Sequence, residues 1–230
     1  MPAHIFTIAG LDYICSINPR GRRKYGSILE LLASGTGEAC TVGLADGTRA
    51  DDPGLRSCMK YTSVFRFLYP NREELEDRVR GEIQKIIPLA HWSSTSIKYS
   101  VLEYGVGGFF KAHRDIQKGI RHCGTLLIFP PAVGVFTHTG GELVISDKGT
   151  GERSDKGADE RSDKGTGERS DKTISLASSQ VTEWTFLAFT LDVLHECLPV
   201  LSGRRVVIKA EIYSDKPVLF ERPISPPITD

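Results

Sequence analysis

After residue 95 the hydrophobic period of this chain falls to two and stays there. The segments "SIKYSVLEY" (96–104), "CGTLLIF" (123–129), "GELVIS" (141–146), "EWTFLAFT" (183–190) and "RVVIKAEIY" (205–213) are short, rich in β-branched and aromatic residues, and separated by Gly and Pro clusters. No helix-length pattern lies between them, so these strands have no crossover helices and must pair antiparallel, as a sandwich or barrel. Helical signals come earlier. Ser27 with Glu30 forms a capping box for a short helix ending near Gly35, and Asn71 with Glu74 opens a longer one. In the latter, Leu75, Val79, Ile83 and Ile87 recur every fourth residue, and Pro88 follows. That stripe needs a sheet to cover it. Residues 34–57, rich in Gly, Asp and Thr, read as a loop with short strands. The expectation is a mainly β (α+β) chain: a helical and loop support region over 1–95, a β core over 96–213 and a tail over 214–230.

One stretch cannot belong to the sheet. From 146 the chain reads SDKGTGER, SDKGADER, SDKGTGER, SDK, a repeat ending at 172 with no side chain able to join a core. It is expected to be a solvated, low-complexity insertion between two strands of the core. Long surface insertions cost little, because loop-closure entropy grows slowly with length.

Charge and cysteine content narrow the partners. The 29 basic and 29 acidic side chains cancel, so no polyanionic partner is indicated and nucleic-acid binding is not expected. No apolar run reaches the ~20 residues of a membrane span, and the basic cluster follows the first apolar residues rather than preceding them as in a signal peptide. Five cysteines without a C-x-x-C pair read as reduced thiols, which suits a cytoplasmic or nuclear location.

The chemistry concentrates in "FFKAHRDIQKGIRHCGTLLIF" (109–129). His-Arg-Asp also occurs in protein-kinase catalytic loops, but such a loop needs an Asn where this chain has Ile120, and no glycine-rich loop with a strand lysine precedes it. G-x-S-x-G and H-E-x-x-H are both absent. A metal reading fits better. In an extended chain His113 and Asp115 point the same way and can chelate one ion. A second imidazole on that face would complete a facial triad suited to non-haem Fe(II). The third ligand must come from a later strand; His195 stands at the end of one, and His138 in "FTHTGG" is its rival. Two arginines follow His195. Along "RRVVIKAEIY" alternation groups Arg205, Val207, Lys209 and Glu211 on a polar face, and Val206, Ile208, Ala210 and Ile212 with Arg204 on an apolar one. A buried arginine needs a carboxylate, so Arg205 is the one expected to face a site.

Taken in order, "YGVGGFFKAHRD" (104–115), "TLLIF" (125–129), "GGEL" (140–143) and "HECLPVLSGRR" (195–205) resemble the 2-oxoglutarate/Fe(II)-dependent dioxygenases, most nearly the prolyl 4-hydroxylase branch. The resemblance spans residues 96–213. It implies a double-stranded β-helix (jelly roll) with N-terminal helices packed on the sheet. It also implies Fe(II) on His113, Asp115 and His195, with Arg205 on the far carboxylate of 2-oxoglutarate and Tyr104 and Thr125 beside the co-substrate. O2 would be consumed, ascorbate would support turnover, and a substrate C–H bond would be hydroxylated with release of succinate and CO2. A protein or peptide substrate with a prolyl target is the first substrate class implied, a small molecule the second. A non-catalytic jelly-roll binding module is the alternative of a different kind. The chain departs from the family at Phe129, where a co-substrate tyrosine is usual.

Overall fold

Alternation with period two builds two facing sheets. The computed structural model describes residues 3–16, 25–34, 36–43, 49–68, 71–88, 90–91, 98–146 and 173–218; the octads from 147 and the tail beyond 218 lie outside the described residues. The principal strands are β1 (Ala3–Ile8), β2 (Asp12–Ser16), β3 (Met59–Leu68), β4 (Lys98–Tyr104), β5 (Phe109–His113), β6 (His122–Phe129), β7 (Leu143–Ser146), β8 (Thr173–Leu176), β9 (Trp184–Thr190), β10 (Leu194–Cys197) and β11 (Arg205–Ser214). The larger sheet runs β1-β9-β6-β11-β4-β3-β2, and the smaller one runs β8-β7-β10-β5 and ends on the short strand Arg56–Ser57. All recorded pairings within these sheets are antiparallel. From β4 onward successive strands fall on opposite sheets, except that β7 and β8 form a hairpin within the smaller one. The fold is a mostly β sandwich of jelly-roll kind.

The strands β4, β6, β9 and β11 of the large sheet divide their side chains between two cores. Val101, Leu126, Ile128, Phe186, Ala188, Val206, Ile208, Ala210 and Ile212 face outward, onto Ile28, Leu31, Leu75, Val79 and Ile83. Those five come from α1 (Ile28–Ala33) and α2 (Arg72–Gln84). The capping box at Ser27 is complete, and Asn71 accepts the Glu74 backbone N–H. The alternate residues Leu102, Tyr104, Leu127, Phe129, Leu187, Phe189 and Val207 face inward, onto Leu143, Ile145, Val193 and Cys197. With both faces covered, β6 is buried along its whole length. Inside this strand a Cβ on Gly124 would lie 2.5 Å from Ile87 Cδ1 and 2.6 Å from the Phe189 carbonyl oxygen, so only glycine fits.

Two expectations need correction. Strands do not wait for residue 95: β1 pairs with β9 at one edge of the large sheet, and β3 and β2 extend it beyond β4. β3 lies between β4 and β2, and which strands these segments pair with depends on tertiary neighbours that a local pattern does not report. The cysteines are also not all thiols. Cys40 and Cys58 form a disulfide with Cα atoms 5.6 Å apart. The short strand Glu38–Ala39 pairs with the start of β3, and the Cys40 N–H donates to the Cys58 carbonyl, which brings the two sulfurs together. Cys123 and Cys197 are buried free thiols. Among the described residues no helix is long and apolar enough to cross a membrane.

Candidate metal centre and anion pocket

His113 ends β5 and His195 lies in β10, and the two are register partners across the smaller sheet. Asp115 follows β5 by two residues. One ligand atom from each of the three lies within 4.8 Å of the others, close enough for a single ion to touch all three, and no other such group occurs among the described residues. Both imidazoles are oriented by their own backbone. His113 Nδ1 is 2.8 Å from the Lys111 carbonyl and His195 Nδ1 is 3.1 Å from the Val193 carbonyl. Donation from Nδ1–H fixes the tautomer and leaves each Nε2 lone pair available to a metal. His113 Nε2 stands 3.9 Å from Asp115 Oδ1.

The electrostatics hold the group in its ligating form. Burial, then the neighbouring His195, pushes the His113 pKa down to about 3, so the ring is neutral. Burial lowers that of His195 as well. Burial alone would raise the Asp115 pKa, but the Lys209 ammonium outweighs it and holds the carboxyl well below the usual range. Lys209 Nζ lies 2.7 Å and 2.8 Å from the two Asp115 oxygens, and the Thr125 hydroxyl donates to Oδ2. Thr125 therefore touches Asp115, orienting its carboxylate.

Arg205 begins β11 and is only 4% exposed. Its guanidinium lies 5.1 Å from the Tyr104 ring centre and 5.5 Å from that of Phe129, and it pairs with no carboxylate among the described residues. Arg204 points the other way, with its side chain 45% exposed and Nε 2.9 Å from Glu103. The space between the triad and Arg205 amounts to about 30 Å³, bordered by Arg56, Tyr104, Phe110, His113, His195 and Arg205. Phe110 stacks on His113 at 3.5 Å between ring centres, and Arg56 caps Phe110 at 4.3 Å. A second cleft of about 480 Å³ adjoins that space, sharing Arg56, Phe110, His113 and Lys209 with it and bordered also by Asp115.

His138 stays out of the triad. It is half-buried rather than exposed, in a short strand paired with Val200–Gly203, and its Nδ1 contacts the Phe136 carbonyl. Lys209, Phe110 and Arg56 also border the candidate site, and no motif marks them. Lys209 carried a signal, since it shares the polar face of β11 with Arg205, whereas Arg56 reaches the site only through the pairing of Arg56–Ser57 with β5.

No family model matches the sequence, and no curated protein matches it. Among solved structures the chain is similar to a prolyl-4-hydroxylase from Pseudomonas putida, at 13% identity over 71% of this chain and 75% of that one, TM-score 0.43. It is similar to a prolyl hydroxylase from Trichoplax adhaerens, solved with a hypoxia inducible factor peptide fragment, at 16% identity over 90% and 84%, TM-score 0.46. A viral collagen prolyl hydroxylase from Paramecium Bursaria Chlorella virus-1, in complex with 2OG, overlaps at 16% identity over 70% and 81%, TM-score 0.39.

Proposed function

We propose that this protein is an Fe(II)- and 2-oxoglutarate-dependent dioxygenase built on a double-stranded β-helix. The observation that carries the reading is the pairing of a two-His, one-carboxylate cluster with a buried arginine that meets no carboxylate among the described residues. The donor set suits Fe(II), because two neutral imidazoles and one carboxylate on one side leave neighbouring positions open. His113, Asp115 and His195 are assigned as ligands, Arg205 as the partner of the distal carboxylate of 2-oxoglutarate, and Tyr104 as the ring that supports it. The strand order supports the β-helix reading, since β9-β6-β11-β4 and β8-β7-β10-β5 interleave along the chain.

Bound iron and 2-oxoglutarate, with O2, supply the oxidation, which converts the co-substrate to succinate and CO2 and leaves one oxygen atom on a substrate carbon. The chain supplies the surroundings. His113 and His195 present Nε2; Thr125 and Lys209 hold the Asp115 carboxylate in place; and Leu127, Val207 and Phe189 keep water from the inner wall. The space of about 30 Å³ between the imidazoles and Arg205 is bordered by Phe110 and Arg56 as well. Phe129 offers no hydroxyl, and in its place Arg205 lies between two aromatic rings.

Residues 96–213 form the catalytic core in this reading, 1–95 its support, and 146–172 an insertion in it. The substrate is a peptidyl proline or a small molecule, and ascorbate supports turnover. The test is succinate release from 2-oxoglutarate by purified protein, dependent on both Fe(II) and O2, followed by mass spectrometry of a treated lysate for products heavier by one oxygen. Protein that binds neither iron nor 2-oxoglutarate refutes the reading.

A further inference from the structure

The open cleft beside the triad is basic although the chain as a whole is neutral. Among the described residues its walls carry Arg56, Lys60, Lys111, Arg114, Lys118 and Lys209 against two acids, Asp115 and Glu211, whereas the full sequence balances 29 cations with 29 anions. Both acids are already engaged: Lys209 holds Asp115, and Lys118 pairs with Glu211. Arg56, Lys111 and Arg114 make no carboxylate contact among the described residues. Arg114 Nε donates to the Asp192 carbonyl, and Arg56 Nε donates to Cys58 Sγ. The cations come from different walls. Arg56 and Lys60 flank Cys58 and the start of β3, while Lys111 shares β5 with His113 and Arg114 lies between the two ligand residues. Fe(II) and the 2-oxoglutarate dianion cancel each other, so loading the site leaves this excess in place.

We propose that the substrate taken by this cleft is anionic, a molecule with closely spaced carboxylates that pair with Arg56, Lys111 and Arg114 while the bond to be oxidised sits over His113 and Asp115. The inference rests on the dioxygenase reading for what happens to the substrate, and on the charge of the walls for which substrate it is. A cleft of about 480 Å³ suits a small polycarboxylic acid or a few residues of an acidic peptide. Like charges on its walls repel a cationic substrate and raise the encounter rate of an anionic one. Planar guanidinium groups favour carboxylate, which they can grip with two parallel hydrogen bonds.

The experiment uses the full chain loaded with Fe(II) and 2-oxoglutarate, three proline-centred peptides of equal length flanked by Glu, by Lys or by Ser, and citrate as a small polycarboxylate. Binding is measured at low and high salt, and succinate release is recorded with and without each probe. The Glu peptide or citrate is expected to bind roughly tenfold or more tightly than the Ser peptide, to lose that advantage at high salt, and to raise succinate release above its basal level. Whichever of the two binds better identifies the source of the carboxylates. In Lys111→Glu/Arg114→Glu protein the preference is expected to turn toward the Lys peptide. Normal basal release with equal binding of all probes, or preference for the Lys peptide by the unaltered chain, overturns the anionic-substrate inference alone. Absence of basal release together with absence of 2-oxoglutarate binding overturns the dioxygenase reading, and the binding comparison still judges the cleft.

Discussion

Lys209 holds both oxygens of the Asp115 carboxylate, at 2.7 Å and 2.8 Å, from the middle of a strand whose first residue is Arg205. The ammonium balances the carboxylate when no ion lies beside it. Replacing Lys209 by Met removes that charge and leaves a mostly buried carboxylate held by the Thr125 hydroxyl alone. Lys209→Met is expected to destabilise the iron-free protein by about 1–3 kcal/mol, a drop of several degrees for a chain of this size. Fe(II) should restore most of the loss, so iron raises the melting temperature more in the variant than in the parent. Thermal melts with and without iron check this, and equal melting temperatures of the two iron-free proteins contradict it.

The two neighbouring arginines should separate cleanly. Arg205→Ala removes a buried guanidinium and is expected to raise the 2-oxoglutarate KM roughly 30-fold or more, for a loss of about 2–5 kcal/mol. Arg204→Ala breaks only the partly exposed pair with Glu103 and should change KM little and stability by at most about 1 kcal/mol. Steady-state kinetics on both variants decides, and the reverse order refutes the assignment of Arg205.

Gly141 leaves the room that Arg205 occupies. Its φ is +69°, and a Cβ there would lie 2.9 Å from Arg205 Cδ and 2.9 Å from Val200 Cγ2. Gly141→Ala should cost about 1–2 kcal/mol for the left-handed backbone alone, and should also raise the 2-oxoglutarate KM by displacing the guanidinium. A variant destabilised but unchanged in KM shows that the glycine serves only the turn.

The octads should be dispensable for the core reaction. Ser146 and Thr173, on either side of the repeat, are direct partners in the β7–β8 ladder, so the strands meet without it. Replacing 147–172 by an Asn-Gly turn is expected to leave basal succinate release and melting temperature nearly unchanged. A large fall in melting temperature refutes this, and a loss confined to a prime substrate identifies the repeat as a recognition arm.

The site was more legible in the sequence than the sheet around it. His113 and Asp115 lie two residues apart in extended chain, and alternation along β11 separates Arg205 from Arg204; both are local patterns, and the structure places these side chains accordingly. Leu75, Val79 and Ile83 were readable as a buried stripe for the same reason. Of the strands before residue 95, β3 does carry the β-branched and aromatic residues of a strand; what no local pattern reports is which distant partners β1, β2 and β3 pair with. The Cys40–Cys58 bond likewise depends on the pairing of Glu38–Ala39 with β3, as the place of Arg56 beside Phe110 depends on a pairing with β5. Lys209 was visible as a polar residue on the right face, but its contact with Asp115 emerges only once β11 and the end of β5 converge.

The most direct test of the account is iron binding by the chain and its single variants, measured by equilibrium dialysis under anaerobic conditions with far-UV circular dichroism as the control for folding. The parent is expected to bind Fe(II) stoichiometrically. His113→Ala, Asp115→Ala and His195→Ala should each lose it while keeping their β spectrum, and His138→Ala should retain it. Stoichiometric iron in any of the three triad variants, or its loss in His138→Ala alone, contradicts the assignment of the centre.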